Sequence, residues 1–335
     1  MSDEVLEVGK LPQKLLAEVL VTGRPVPPDL LLPPRVGEDA GVVSVQRGAL
    51  IAASDPVTLT GRDVGAHAVL VNANDIAVMG ARPRWFTATV LLPPGITANE
   101  VRSLYRRMHD ALAELDAVLV GGHVEITDAV SRTVVVGHMM GLRQDNNFAS
   151  TAALESGQAV VQIGPAPVEG AAVLSAEARA QLEGKVAAAT LSEAADAMTN
   201  PGISVVEAAL RATSLGASAM HDPTEGGLSA GLYEMAETAG VGLVVSADAV
   251  LWYEPGRVMA EALGIDPWGL LASGALLAAF PEDTAEDALA TLSDEGFACA
   301  PIARAADGSG VVFEGGGAVP RFARDELIRA LSAKG

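Results

Sequence analysis

Apolar residues recur along this chain with two different periods, and short runs of one kind alternate with longer stretches of the other. Residues 41–45 and 49–54 are compact apolar runs separated by Gln46-Arg47-Gly48, a pattern that predicts a hairpin. Over 62–79, Val64, Ala68, Val71, Ile76 and Met79 fall near one face at helical spacing. Residues 86–92 predict a strand, which Pro93-Pro94-Gly95 ends. A helix is predicted over 99–115, where Val101, Leu104, Tyr105, Met108, Leu112 and Leu115 form a stripe. Strands at 117–120 and 133–136 complete the first half, which reads β-β-α-β-α-β-β.

The polar cluster Asp145-Asn146-Asn147 breaks the pattern and marks a domain boundary. Beyond it, 159–163 predicts a strand, and 193–198 and 204–212 predict helices. Leu228, Leu232, Met235, Ala236 and Ala239 form another helical stripe, with Gly240 as its C-terminal cap. Residues 241–245 and 275–280 are strand candidates. No fixed-period repeat appears, which excludes a solenoid. The expected organisation is an N-terminal segment over 1–36, a first domain over 37–145, a second over 146–312, and a tail over 313–335 that ends in a polar helix rich in arginine.

Composition narrows the function classes. Half of the residues are apolar and 19% are charged, which supplies a sizeable core and excludes global disorder. Lys and Arg number 22 against 42 for Asp and Glu, a net charge of −20. A chain this acidic repels phosphodiester backbones and anionic lipid, so neither nucleic acid nor membrane is expected as a partner. The 4% aromatic content also argues against a base-stacking surface. The mean hydropathy is +0.32, yet the longest apolar run, 269–280, is short of the ~20 residues a membrane-spanning helix requires. The N-terminal sequence shows no signal peptide, and the single cysteine, Cys299, forms no internal disulfide; both point to the cytoplasm. Trp252, Tyr253 and Trp268 read as core or dimer-contact residues rather than a cofactor box.

Five short segments place a carboxylate beside glycine or at the end of an apolar run. They are 37–41 with Glu38 and Asp39, Ser54-Asp55-Pro56, Asn72-Ala73-Asn74-Asp75, Gly121-Gly122-His123-Val124-Glu125, and Asp222-Pro223-Thr224-Glu225-Gly226-Gly227. An Asp beside Gly or Pro is most often a turn former or helix cap, and Thr224 has the same bland reading. Asp75 is harder to dismiss, because Asp is a poor helix-interior residue and Ile76 and Val78 flank it. Asn72 lies three residues earlier and shares its face. Gly226-Gly227 weakens the start of a helix, a cost that makes sense if a phosphate approaches the backbone there. Oxygen ligands converging from separate elements are how magnesium is held, with water and phosphate completing its shell.

In this order the segments resemble the AIR synthase (PurM) superfamily, which includes aminoimidazole ribonucleotide synthetase, thiamine-monophosphate kinase and the hydrogenase-maturation protein HypE. The Gly-x-Asp-Ala motif matches 37–40, the strand-end Ser-Asp matches Ser54-Asp55, and the Asn-Asp helix with Met-Gly-Ala-x-Pro matches 74–83. The Gly-Gly motif, expected as a loop, matches Gly121-Gly122, and the second-domain Asp-Pro-Thr-x-Gly-Gly-Leu matches 222–228, most like HypE and AIR-synthase-related proteins. The resemblance implies a two-domain α/β (α+β) fold: a mixed N-terminal sheet with helices that forms a barrel across a homodimer, and a C-terminal α/β sandwich domain. It implies ATP and Mg²⁺, with metal on Asp39, Asp55, Asp75 and Asp222. Gly9, Lys10, Asn72, Asn74, Gly121, Gly122, Thr224, Gly226 and Gly227 would contact the nucleotide, Gly9-Lys10 as part of a flexible segment folding over it. Asp75, His123 and Glu125 would serve catalysis. The expected reaction is phosphoryl transfer to an amide, thioamide or related acceptor, either a small molecule or a carrier protein.

Three departures bear on that reading. His123 stands where the family often has an acid, with Glu125 two residues on; Glu225 stands where HypE has Arg; and the sequence ends without HypE's terminal cysteine. They leave open a non-catalytic ATP-binding partner of the same fold. A zinc hydrolase built on His123, Glu125 and His138 is a third reading, with a far less specific spacing.

Overall fold

The computed structural model describes residues 63–144 and 148–332 continuously, with 49–58 and short pieces before them (6, 9–10, 15, 18–19, 25–28, 30–32 and 42–43). The chain divides into two compact units: 1–76 with 81–147, and 77–80 with 148–335.

In the first unit the described strands are β1 (Gly9–Lys10), β2 (Leu30–Leu32), β3 (Val42–Val43), β4 (Ala49–Ala53), β5 (Pro56–Val57), β6 (Pro83–Leu92), β7 (Val118–Ile126) and β8 (Val134–Arg143). The helices described in full with them are α1 (Val64–Val78) and α2 (Ala98–Glu114). The main sheet runs β1-β7-β6-β8-β4, with β5 also on β8. β6 and β7 are parallel, as strands joined through a crossover helix are, and α2 is that crossover. Thr97 caps α2 in a complete capping box with Glu100, and Val101, Tyr105, Met108 and Leu112 bury its predicted stripe.

Helix α1 lies against β8 because two glycines make room. A Cβ at Gly137 would collide with the Asn72 amide and come within 2.9 Å of the Phe86 ring, and one at Gly141 would strike Ile76. So close an approach buries more of α1 than a single stripe: Asn72, Ala73, Asn74, Ile76 and Ala77 are all fully buried.

Among the described residues the predicted hairpin pairing does not occur. β3 pairs with β2, while β4 runs along β8 from Ala49 opposite Arg143 to Ala53 opposite Met139. The apolar runs identify the strands correctly, but a three-residue connection does not dictate a partner when β8 offers a longer apolar edge. Gly121-Gly122 is also not a loop: both residues lie inside β7, just after a bulge where register shifts between Phe86 and Thr87. Gly122 has φ +148, and a Cβ there would collide with the Ala88 backbone, so glycine serves close strand approach at this position.

The second unit contains β9 (Ala159–Ile163), α3 (Val168–Glu177), α4 (Arg179–Leu182), α5 (Ala188–Ala195), α6 (Val206–Ser214), β10 (Ala219–His221), α7 (Gly227–Ala239), β11 (Gly242–Val245), α8 (Glu254–Leu263), β12 (Leu276–Phe280), α9 (Glu282–Asp294), β13 (Cys299–Ala306), β14 (Gly310–Phe313) and α10 (Glu326–Ser332). Its sheet runs β10-β12-β9-β13-β11-β14. Leu228, Leu232, Met235 and Ala236 of α7 join Val160, Leu277, Ile302 and Val311 in one core, and Gly240 caps α7 in the left-handed conformation. Cys299 is partly buried with its thiol directed at the Leu289 carbonyl, and burial pushes its pKa up. Among the described residues no helix is long and apolar enough to cross a membrane.

Candidate functional site

Ser54-Asp55 interrupts the ladder between β4 and β5, opposite Gly137-His138 of β8. The interruption is held from both sides. Ser54 Oγ donates to the Gly137 carbonyl at 2.7 Å, and the Gly137 N–H donates to the Asp55 carbonyl at 2.9 Å. From α1, the Asn72 side chain clamps the Asp55 backbone: its Oδ1 accepts from the Asp55 N–H at 2.8 Å, and its Nδ2 donates to the Asp55 carbonyl at 3.1 Å and to Ala68 at 2.8 Å. Both ends of the fully buried Asn72 amide are thereby engaged, which fits it to position Asp55. Asp55 remains exposed, and the half-buried Asp75 lies one turn along α1 from Asn72. The helix and the strand end thus offer two carboxylates on rigid supports. Asn74 is fully buried, another sign of structural duty.

The other predicted residues of this unit lie elsewhere. In β6, Phe86, Ala88, Val90 and Leu92 are buried beneath the helices, while Thr87, Thr89 and Leu91 face the opposite way. Register places Gly121, His123 and Glu125 on that second face, with His138 opposite Thr87. His123 Nε2 and Glu125 Oε2 are 3.4 Å apart, and His123 is exposed. Asp75 and the His123–Glu125 pair therefore belong to opposite sides of one sheet, because side chains two residues apart share a face and α1 covers the other. The three residues expected to serve catalysis thus divide between the two faces of this sheet. Lys10 is in register with Glu125, and Gly9 with Ile126, so this pair adds an edge strand to the sheet rather than a free flap. Asp39 lies outside the described residues. Among the described residues no three His, Cys, Asp or Glu side chains gather for a metal, which removes the zinc arrangement of His123, Glu125 and His138.

In the second unit, Asp222 is buried and held by contacts of its own, just after β10. Its neighbour His221 pairs with Glu234 at 2.7 Å, a hydrogen bond that lowers the Glu234 pKa. Thr224 does not cap α7. Its carbonyl accepts from Gly227 and Ala272, and the cap position falls to Gly226, with φ +82. A Cβ at Gly227 would sit 2.5 Å from the Trp268 carbonyl, so this glycine serves close backbone packing. The Gly226 N–H, expected to meet phosphate, donates to Asp325 Oδ2 at 2.7 Å. Asp325 also accepts from Leu327 N–H at 2.7 Å, and it is only 3% exposed. Burial outweighs these bonds and pushes its pKa up to about 6. Sequence reasoning missed Asp325 because nothing in a C-terminal Asp-Glu signals a partner a hundred positions away. Gly137 was missed for a similar reason: a glycine in an apolar strand shows its purpose only once the helix above it is known.

Comparison with known proteins follows this division. The AIR synthase related protein N-terminal domain family matches residues 37–142, and the corresponding C-terminal domain family matches 155–315. Carbamoyl dehydratase HypE of Rhodobacter capsulatus is 28% identical over 239 residues, covering 71% of this chain and 67% of the relative. The crystal structure of Escherichia coli HypE superimposes with a TM-score of 0.77 at 21% identity, covering 95% of this chain and 98% of that one. A structure of HypE in complex with ATP gives 0.74 at 24% identity, covering 90% and 92%. Both domain families occur in order over most of the chain, and the two-domain α/β fold is the PurM-like one: this chain belongs to the AIR synthase related family.

Proposed function

We propose that this protein uses Mg–ATP to phosphorylate the oxygen of an amide-type acceptor, as an enzyme of the AIR synthase and HypE type. The observation that carries the reading is the clamp of Asn72 on Asp55, which fixes one carboxylate on a strand end beside a helix that carries Asp75. Magnesium needs few protein ligands when phosphate oxygens and water complete its shell, so a pair of acids without a closed cage suits a metal that arrives with a nucleotide. Bound there, the metal neutralises charge on the phosphates. Asp55 and Asp75 hold it in this reading, and Asp39 adds a contact. A protein of net charge −20 has to bring cations to a triphosphate, and these carboxylates supply the means.

In the reaction the bond from the γ-phosphorus to ADP breaks and a phosphorus–oxygen bond forms on the acceptor. The acceptor oxygen then leaves as phosphate, which is a far better leaving group than oxide. The Rhodobacter relative is called a carbamoyl dehydratase, and removal of that oxygen as phosphate amounts to dehydration. The acceptor is a carbamoyl or related group on a small molecule or carrier protein. The protein works in the cytoplasm as a homodimer in this reading, with the open face of the first sheet at the seam. Support comes from apolar side chains left partly open on that face, Met140 and Leu142, with the exposed Leu50 in register with Leu142. A second copy there would also bring another His123–Glu125 face to the seam.

A nucleotide-binding partner without turnover is a second reading, favoured by the separation of Asp75 from His123 and Glu125 across one sheet. ADP release from Mg–ATP against a panel of carbamoyl, amide and thioamide acceptors separates the two. Release stimulated by one acceptor supports the enzyme; tight ATP binding with no release across the panel supports the partner.

A further inference from the structure

Two of the chain's three tryptophans meet in the second unit. The Trp252 and Trp268 rings lie 5.2 Å apart at 86°, and Trp268 meets Phe313 edge-on at 5.5 Å. Together with Arg257, Glu261, Asp266 and Arg329, the two indoles line an open groove of about 550 Å³. That volume is typical of small-molecule sites.

The groove is held in shape from beneath. Fully buried Gln162 grips the Leu251 backbone with both ends of its amide, accepting from Leu251 N–H at 3.1 Å and donating to its carbonyl at 2.9 Å. Trp252, the next residue, is bridged to Ala166. On the other wall, Asp266 Oδ1 accepts from Trp268 N–H at 3.0 Å, and Glu326 accepts from Asp266 N–H at 2.8 Å. Partly buried hydrogen bonds of this kind fix both walls before any ligand arrives.

The charges decide what fits. Arg257 is spent on Glu254 through two hydrogen bonds of 2.9 and 3.0 Å. Arg329 is spent on Glu326 and on the Gly264 carbonyl. Glu254 and Glu326 lie outside the lining and each matches one arginine, so with Glu261 and Asp266 the charge around the groove is negative. Glu261 stands exposed at the rim, where it also acts on Arg257. Perpendicular indoles beside surplus carboxylate attract cations through ring quadrupole and charge together, and they repel anions.

We propose that the Trp252–Trp268 groove binds a small organic cation of the guanidinium or alkylated-ammonium class. The site is separate from the ATP reading and stands or falls without it.

Tryptophan fluorescence of the full-length protein, titrated with agmatine and with tetramethylammonium, tests the assignment, because the remaining tryptophan, Trp85, is fully buried in the first unit. A saturable change with midpoint below roughly 1 mM is expected for at least one probe. Trp252→Leu should abolish it. Glu261→Gln, a change at an exposed side chain, should weaken it roughly 3–10-fold and leave the melting curve unchanged. If Trp252→Leu does not fold, Glu261→Gln alone decides. The proposal is overturned by a linear response up to roughly 10 mM, by equal saturation with phenyl phosphate, or by an unchanged affinity in Glu261→Gln.

Discussion

At the scale of single residues, the polar groups that matter most hold backbone rather than ligand. Asn72 spends its amide on Asp55 and Ala68 in a fully buried position. Replacing it with alanine removes those bonds and leaves the Asp55 turn unsupported. We expect Asn72→Ala to cost about 2–3 kcal/mol in denaturant unfolding and to lower Mg–ATP affinity by roughly tenfold. Unchanged affinity in a folded variant would show that Asp55 does not need this clamp. Asp325 provides a second test, through pH. Its pKa rises from 3.8 to about 6 on folding, so the folded state holds the proton more tightly than the unfolded chain. The stability this gives is complete below about pH 4 and is lost as pH rises through about 6. The protein should therefore be more stable at pH 5 than at pH 7.5 by about 1 kcal/mol from this group. Asp325→Asn should remove that part of the pH dependence, which chemical denaturation at the two pH values measures.

At the scale of elements, glycine in a strand is the feature that joins sequence to site. Gly137 and Gly141 let α1 settle on β8, which is what brings Asn72 within reach of Asp55. Gly137→Ala should push the Asn72 side chain aside, destabilise the protein by about 1–3 kcal/mol, and weaken nucleotide binding in parallel with Asn72→Ala. Stability loss with intact ATP binding would contradict this coupling. The helices were largely legible in the sequence: Val101, Tyr105, Met108 and Leu112 of α2, and Leu228, Leu232 and Met235 of α7, bury the predicted stripes. Strand partners were not. Periodicity tells which face of β3 or β4 is apolar, but pairing depends on residues elsewhere in the chain, and β2 and β8 took the two halves of the expected hairpin. Gly121-Gly122 misled for a related reason, since glycine favours loops locally and permits close strand approach globally.

At the scale of the whole molecule, the ordered acidic motifs carried the family, and the matches over 37–142 and 155–315 agree with it. What the motifs did not convey is how the strand period divides their side chains. Asp55 and Asp75 sit with the helix-covered side of the first sheet, while His123 and Glu125 face the other way. The duty of the Gly226 N–H was equally hidden, because its partner Asp325 comes from the far end of the chain. An excess of 20 negative charges makes triphosphate binding without a cation unfavourable, so the account predicts that affinity is metal-dependent and lies with the carboxylates of the first unit. Isothermal titration of ATP into the protein, with and without magnesium, tests this most directly when the wild type is compared with Asp55→Asn and Asp75→Ala. The account predicts binding that requires magnesium and falls at least roughly tenfold in each variant, a loss of about 1.4 kcal/mol or more. Magnesium-dependent binding of equal affinity in all three proteins would contradict it.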